Sequence, residues 1–265
     1  MSIRLLALDI DGTLTDNSSN TISKNNLEAI EKAREAGVFV TIATGRACPA
    51  TRPIWDAMSL VGPSIQYGGA WTVNVPDGEL LEQYNLDSVT VRDLMRFARD
   101  IHVNAQLYVN DAIVVERMNP FTQAYVSKNG MQVIEDPDIY EKLYENVPKV
   151  LAFSDPENEG RMRIQFEEAF CGRAHITRSQ STFIEINDSL ATKGNALSRL
   201  AKRLGVEQKE VAAMGDSYLD IDMIEWAGVG VCMANSVEDV VRHSNIVAPD
   251  CMEDGVAWFI QRYVL

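Results

Sequence analysis

Three things are scarce in this chain, and each shortage removes a class of function. Positive charge is the first: 24 Lys and Arg stand against 38 Asp and Glu in 265 residues, a formal net charge of −14. A nucleic-acid backbone or an anionic membrane surface is therefore excluded as the main partner. Long hydrophobic runs are the second. The first apolar stretch, Leu5-Leu6-Ala7-Leu8, is cut short by Asp9, which does not make a signal-peptide pattern. No stretch approaches the ~18 apolar residues of a membrane span. Metal- and redox-type spacing of Cys and His is the third. Cys48, Cys171, Cys232 and Cys251 form no C-x-x-C pair, so they read as reduced thiols of a cytoplasmic protein. His102, His175 and His243 are too scattered for a metal site and read as structural or solvent-facing.

What is present is the composition of a soluble globular protein, with 46% hydrophobic and 23% charged residues. The length suits one large domain or two modest ones. Asp9-Ile10-Asp11-Gly12-Thr13 follows the first apolar run directly. Charge beside a core is costly without a partner, and in an extended segment residues i and i+2 share a side. Asp9 and Asp11 can thus converge on one reacting centre, such as a metal ion or a transferring phosphoryl group. Taken alone, the same five residues also fit a plain turn.

Three further segments argue against the plain turn. Val38 to Ala43 reads as a buried strand followed by Thr44-Gly45-Arg46. Val211 to Met214 reads as another, followed by Gly215-Asp216-Ser217. Lys193-Gly194-Asn195 opens a helical pattern. Open α/β sheets bind ligands beyond the carboxyl ends of their strands, and these strands end in carboxylate, hydroxyl and carboxylate, with a lysine to add positive charge.

The pattern along the chain predicts how these pieces are organised. A helix from Ser23 to Ala36 ends at Gly37, and a second carries Ile54, Ala57, Met58 and Val61 on one face before Gly62-Pro63; Ser64 to Tyr67 reads as a further strand of the same parallel sheet. Strand alternating with helix implies right-handed crossovers. Near residue 80 the character changes. Leu107 to Val109 and Ile113 to Val115 flank an Asn110-Asp111 turn, and strands at Val150 to Phe153, His175 to Thr177 and Phe183 to Ile186 surround a helix from Glu157 to Phe170. After Asn187 the α/β alternation resumes. The expected fold is α/β: a Rossmann-like parallel-sheet core made of residues 1–82 and 188–265, with an inserted α+β domain at 83–187.

The four motifs Asp9-Ile10-Asp11-Gly12-Thr13, Thr44-Gly45-Arg46, Lys193-Gly194 and Gly215-Asp216-Ser217-Tyr218-Leu219-Asp220 together resemble those of the haloacid dehalogenase superfamily. Val231 to Ser236 and Glu253 to Ala257 resemble its Cof-type sugar-phosphatase branch. The resemblance spans nearly the whole chain and implies that the inserted domain is a cap that sets substrate specificity. It implies Asp9 as nucleophile through an aspartyl-phosphate and Asp11 as general acid and then base. Asp9, Asp216 and the Asp11 carbonyl would be ligands of Mg²⁺. Thr44, Gly45, Arg46 and Lys193 would bind the phosphate, with Asp220 in support. Asn235 is either a further substrate contact or a turn and cap residue. The substrate expected is a small phosphorylated metabolite, a sugar phosphate first. An acid at Asp11 has no use in dehalogenation, so phosphatase is favoured. A phosphomutase, or a weakly active phosphate-binding regulatory module, remains open. Two departures stand out: Leu219 occupies the place of the family's Asn, and Gly68-Gly69-Ala70 replaces Asn-Gly-Ala.

Overall fold

The structure is a computed structural model and describes residues 2–16 and 19–265. The chain divides into two compact units. One comprises Met1–Gly45, Thr51–Glu82 and Thr192–Leu265; the other comprises Arg46–Ala50 and Gln83–Ala191.

The first unit is built on a five-stranded parallel sheet. Its strands lie in the order Ile246–Ala248, Val229–Met233, Val211–Gly215, Leu5–Leu8 and Phe39–Ile42. Parallel strands covered on both faces read as unbroken apolar runs, and every residue of Leu5–Leu8 is buried. Leu8 lies opposite both Met214 and Ile42. The polar residues that follow these three strands therefore emerge at one level along one edge.

Helix Lys24–Glu35 begins where Ser23 accepts a hydrogen bond from the Asn26 N–H. Helix Lys193–Leu204 begins where Thr192 accepts one from the Asn195 N–H, and Gly205 ends it.

Two local expectations fail. The second helix spans Cys48–Ala57, and only Ile54 and Met58 of the expected stripe are buried. Ser59 turns into the left-handed region (φ 47) and Val61 is exposed. The chain breaks ahead of Gly62-Pro63, so Val61 never reaches the helical face. The strand Gly62–Gln66 also leaves the parallel sheet. It pairs antiparallel with Trp71–Val75 in a separate three-stranded sheet and keeps one parallel bridge, Ala43 to Ile65.

The second unit holds a six-stranded sheet ordered His175–Gln180, Phe183–Asn187, Val150–Phe153, Asn104–Val109, Ala112–Val115 and Val133–Glu135. All its pairs are antiparallel except the last. Asn110 and Asp111 both have positive φ in the hairpin turn, as a two-residue loop of this kind requires. Helices Ser88–Asp100 and Glu159–Ala169 supply Leu94, Phe97 and Phe166 to a core with Leu107, Val150 and Ile184. Helix Pro120–Asn129 was not foreseen, because its apolar residues lack a clear stripe. Its start was marked, by Asn119 as cap and Pro120 in the first turn. Among the described residues, no helix is long and apolar enough to cross a membrane.

Candidate active site

Asp9 is the first residue beyond the opening strand, and its N–H donates to the Met214 carbonyl at 3.0 Å. The chain then winds tightly: the N–H groups of Thr13, Leu14 and Thr15 all point at the Ile10 carbonyl. Gly12 has φ +85, and a Cβ there would lie 2.2 Å from Asp216 Oδ2. Both the backbone conformation and the space require glycine. The loop is tied down from outside by Asn235, whose Nδ2 donates to the Gly12 carbonyl at 2.8 Å and whose Oδ1 accepts from the Cys251 N–H at 3.0 Å. Both ends of the Asn235 amide are thus engaged by backbone.

Asp216 follows strand Val211–Gly215, and its Oδ1 accepts from the Thr13 hydroxyl at 3.2 Å. Lys193 opens its helix and is 1% exposed. Its Nζ donates to Asp9 Oδ1 at 2.7 Å and to Asp220 Oδ1 at 2.5 Å. The other oxygen of Asp220 accepts from the Asp216 N–H, the Ser217 N–H and the Ser217 hydroxyl, at 3.2, 2.9 and 2.8 Å. The structure thus brings Asp9, Lys193, Asp216 and Asp220 together. One oxygen from each of the three carboxylates lies within 4.8 Å of the others.

One ammonium does not balance that much negative charge. Burial pushes the Asp9 carboxyl up to about 7, with the charges of Asp220 and Asp11 adding to the rise and Lys193 opposing it. Burial, then Asp9 and Asp220, push Asp216 up to about 9. Burial works against the Lys193 charge, yet Asp220 and Asp9 outweigh it and hold that amine above the ordinary lysine range. Crowded, partly dehydrated carboxylates with only oxygen donors are what a divalent cation such as Mg²⁺ fits. Asp220 is already committed to Lys193 and the Ser217 turn, so Asp9 and Asp216 are the side chains of this trio suited to such an ion.

Of the remaining expected residues, Asp11, Thr44 and Gly45 lie in the same unit as this centre. Asp11 is half-buried and forms a bridge with Thr15, and its charge is one of those felt by Asp9. Thr44 is buried; its N–H donates to the Ile65 carbonyl at 3.0 Å and its carbonyl accepts from the Gly68 N–H at 2.9 Å. The residues after the second strand are thereby braced by the segment that left the parallel sheet. Gly45 faces Leu219, whose Cδ2 would lie 2.8 Å from a Cβ at that position. Arg46 belongs to the second unit, where its guanidinium donates to the Ala50 carbonyl at 3.2 Å.

Thr13 and Ser217 are the site residues that sequence reasoning did not single out. Ser217 was discoverable, because Ser-x-x-Asp before a helix is a capping pattern, and both of its reciprocal bonds are present. Thr13 carried no separate signal within its motif.

Comparison with known proteins identifies the family. The profile of the haloacid dehalogenase-like hydrolases matches residues 6–260. The chain is 31% identical to the 5-amino-6-(5-phospho-D-ribitylamino)uracil phosphatase YcsE of Bacillus subtilis (strain 168), over 100% of this chain and 97% of that protein. It is 26% identical to the pyridoxal phosphate phosphatase YbhA of Escherichia coli (strain K12), over the full length of both. The crystal structure of a haloacid dehalogenase-like hydrolase from Bacteroides thetaiotaomicron superposes with a TM-score of 0.85 at 29% identity, covering 98% of this chain and 99% of that one.

Proposed function

Because the chain belongs to the haloacid dehalogenase-like hydrolase family, we propose that it is a Mg²⁺-dependent phosphoric monoester hydrolase that works through an aspartyl-phosphate on Asp9. The observation that carries this reading is the buried Lys193 ammonium bridging Asp9 and Asp220 beside Asp216. Asp9, Asp216 and the main-chain carbonyl of Asp11 are the groups that would hold a divalent ion. That ion would supply the positive charge that lets a phosphate dianion approach an aspartate.

Lys193 fixes the Asp9 carboxylate by holding Oδ1, which orients the group for in-line attack on phosphorus. As the Asp9 oxygen bonds to phosphorus, the bond to the leaving oxygen breaks, and Asp11 gives that oxygen its proton. Asp11 is then a carboxylate and takes a proton from the water that attacks the phospho-aspartate. Hydrolysis of the acyl phosphate returns Asp9 and inorganic phosphate. Lys193, with the Thr44 hydroxyl and N–H groups of the loops, offers donors to the charge spread over the phosphoryl oxygens.

The substrate we infer is a small phosphorylated metabolite, of the class named for the two relatives. Residues 83–187 would act as a cap that reads the part of the metabolite beyond the phosphate. The test is release of inorganic phosphate from a panel of such metabolites and from p-nitrophenyl phosphate, with Mg²⁺ and in excess chelator. Turnover should require the metal, and Asp9→Asn should abolish it while leaving the melting curve cooperative. Full activity in chelator, or in Asp9→Asn, would overturn the mechanism. Phosphate returned to the substrate rather than released would point to a mutase instead.

A further inference from the structure

We propose that Asp222 is a positioning residue for Lys193, holding the lysine's own backbone while Asp220 holds its ammonium. This rests on the catalytic reading of Lys193 given above. The first N–H groups of a helix have no partner within it. In helix Lys193–Leu204 the Asn195 N–H is taken by the Thr192 hydroxyl at 3.2 Å. The Gly194 N–H, one residue from the lysine, donates instead to Asp222 Oδ2 at 2.7 Å. A carboxylate at this place also meets the positive end of the helix dipole.

The two segments are in backbone contact here. A Cβ on Gly194 would lie 2.6 Å from the Asp222 carbonyl oxygen, so no larger residue fits without moving one segment off the other. Asp222 is the second residue of the short helix Ile221–Trp226, which continues directly from the turn carrying Asp216, Ser217 and Asp220. One seven-residue stretch, from 216 to 222, therefore contributes a carboxylate suited to a metal, the partner of the Lys193 ammonium and the partner of the adjacent peptide.

The lysine is gripped at both ends of its side chain by the same stretch. A flexible four-carbon stem gives Lys little orientation of its own. With its Cα fixed by the Gly194–Asp222 bond and its Nζ fixed by Asp220, the ammonium has little room to leave Asp9. Removing the Asp222 acceptor frees the first turn of the helix and lets the lysine swing, without touching a group that meets the substrate.

Three measurements on Asp222→Ala and Asp222→Asn test this: steady-state kinetics on p-nitrophenyl phosphate with Mg²⁺, melting curves, and acetylation of Lys193 by acetic anhydride, read by mass spectrometry against the exposed Lys202. In Asp222→Ala, kcat should fall about tenfold with KM changed less than about twofold, and Lys193 should be acetylated several times faster relative to Lys202. Asp222→Asn keeps a carbonyl acceptor for the Gly194 N–H, so both readouts should return to within about threefold of the parent. If Asp222→Ala only lowers the melting temperature, with Lys193 still protected and kcat unchanged, Asp222 is a helix brace and the proposal fails. The acetylation readout does not need turnover. Parent protein inactive on every ester, with Lys193 still exposed by Asp222→Ala, would keep the clamp and reject the phosphatase reading. Parent protein active, with Lys193 still protected in Asp222→Ala, would do the reverse.

Discussion

Replacing Leu219 by Asn restores the residue type common in the fourth motif of the family, and the structure predicts that this restoration is harmful. Leu219 is only 7% exposed and its Cδ2 packs against Gly45. Burying a leucine side chain contributes about 1.5–3 kcal/mol. An amide in the same place adds a further cost of about 1–3 kcal/mol if it finds no partner. The combined loss is about 2.5–6 kcal/mol, a large part of the ~5–15 kcal/mol that holds a domain folded. For chains of this size each kcal/mol moves the melting temperature by about 2–4 °C, so a fall of ~5–24 °C is expected. The alternative is that the new amide reaches a phosphate oxygen. A hydrogen bond to a charged group contributes about 1.5–3 kcal/mol, which would raise kcat/KM by roughly 10–100-fold. Differential scanning fluorimetry in chelator measures the first effect, and initial rates on p-nitrophenyl phosphate measure the second. An unchanged melting temperature together with a rise in kcat/KM would refute the packing argument.

Asp11→Asn should slow phosphate release by roughly 10²–10⁴-fold and leave Mg²⁺ binding intact; near-parental rates across the pH range would exclude Asp11 as the proton donor. Asp9 and Asp216 carry pKa values raised from 3.8 to about 7 and about 9, so the metal-free folded state holds protons that the unfolded chain gives up. Its stability should therefore decline as pH rises from about 4 through 9, and the rise in melting temperature on adding Mg²⁺ should grow over the same range. A flat melting temperature in chelator between pH 5 and pH 9 would contradict the crowding. Asp216→Asn should raise the melting temperature in chelator while abolishing the Mg²⁺-induced shift, because it removes one of three crowded carboxylates; a lower melting temperature would show that Asp216 is structurally required. Substitutions on the exposed surface of residues 83–187 should change the ranking of metabolites while sparing p-nitrophenyl phosphate, and equal losses on all substrates would argue against a cap that reads them.

The site was legible where short apolar runs fix the geometry. Leu5–Leu8 and Val211–Gly215 are too hydrophobic to lie anywhere but inside a covered parallel sheet, so the acids that follow them emerge at its carboxyl edge. Lys193 could be placed on a helix start because Thr192 announces one. Pairing was less legible. Nothing in Ser64-Ile65-Gln66 says that this strand turns away to meet Trp71–Val75, because edge strands and central strands share the same residue types. The pattern also failed at Val61, where a positive φ at Ser59 ended a helix that apolar spacing alone would have continued. The use of Asp222 depends on two helices meeting at Gly194. Contacts between segments some 30 residues apart leave no periodic trace in sequence.

Leu5–Leu8 lies between Phe39–Ile42 and Val211–Gly215 in the sheet, and this has a consequence for how the protein is made. The first strand gains its neighbour on one side almost at once, while the partner on the other side is separated from it by some 200 residues. At about 5–20 residues per second, that edge waits on the order of 10–40 s for its partner while the whole second unit is synthesised. Through that interval the nascent chain carries an apolar strand with one row of unpaired amides and carbonyls, the kind of edge that recruits other strands. The residues that could neutralise Asp9 are still unmade. Ribosome-bound chains arrested before residue 211 should therefore bind chaperones more strongly than chains arrested after residue 250.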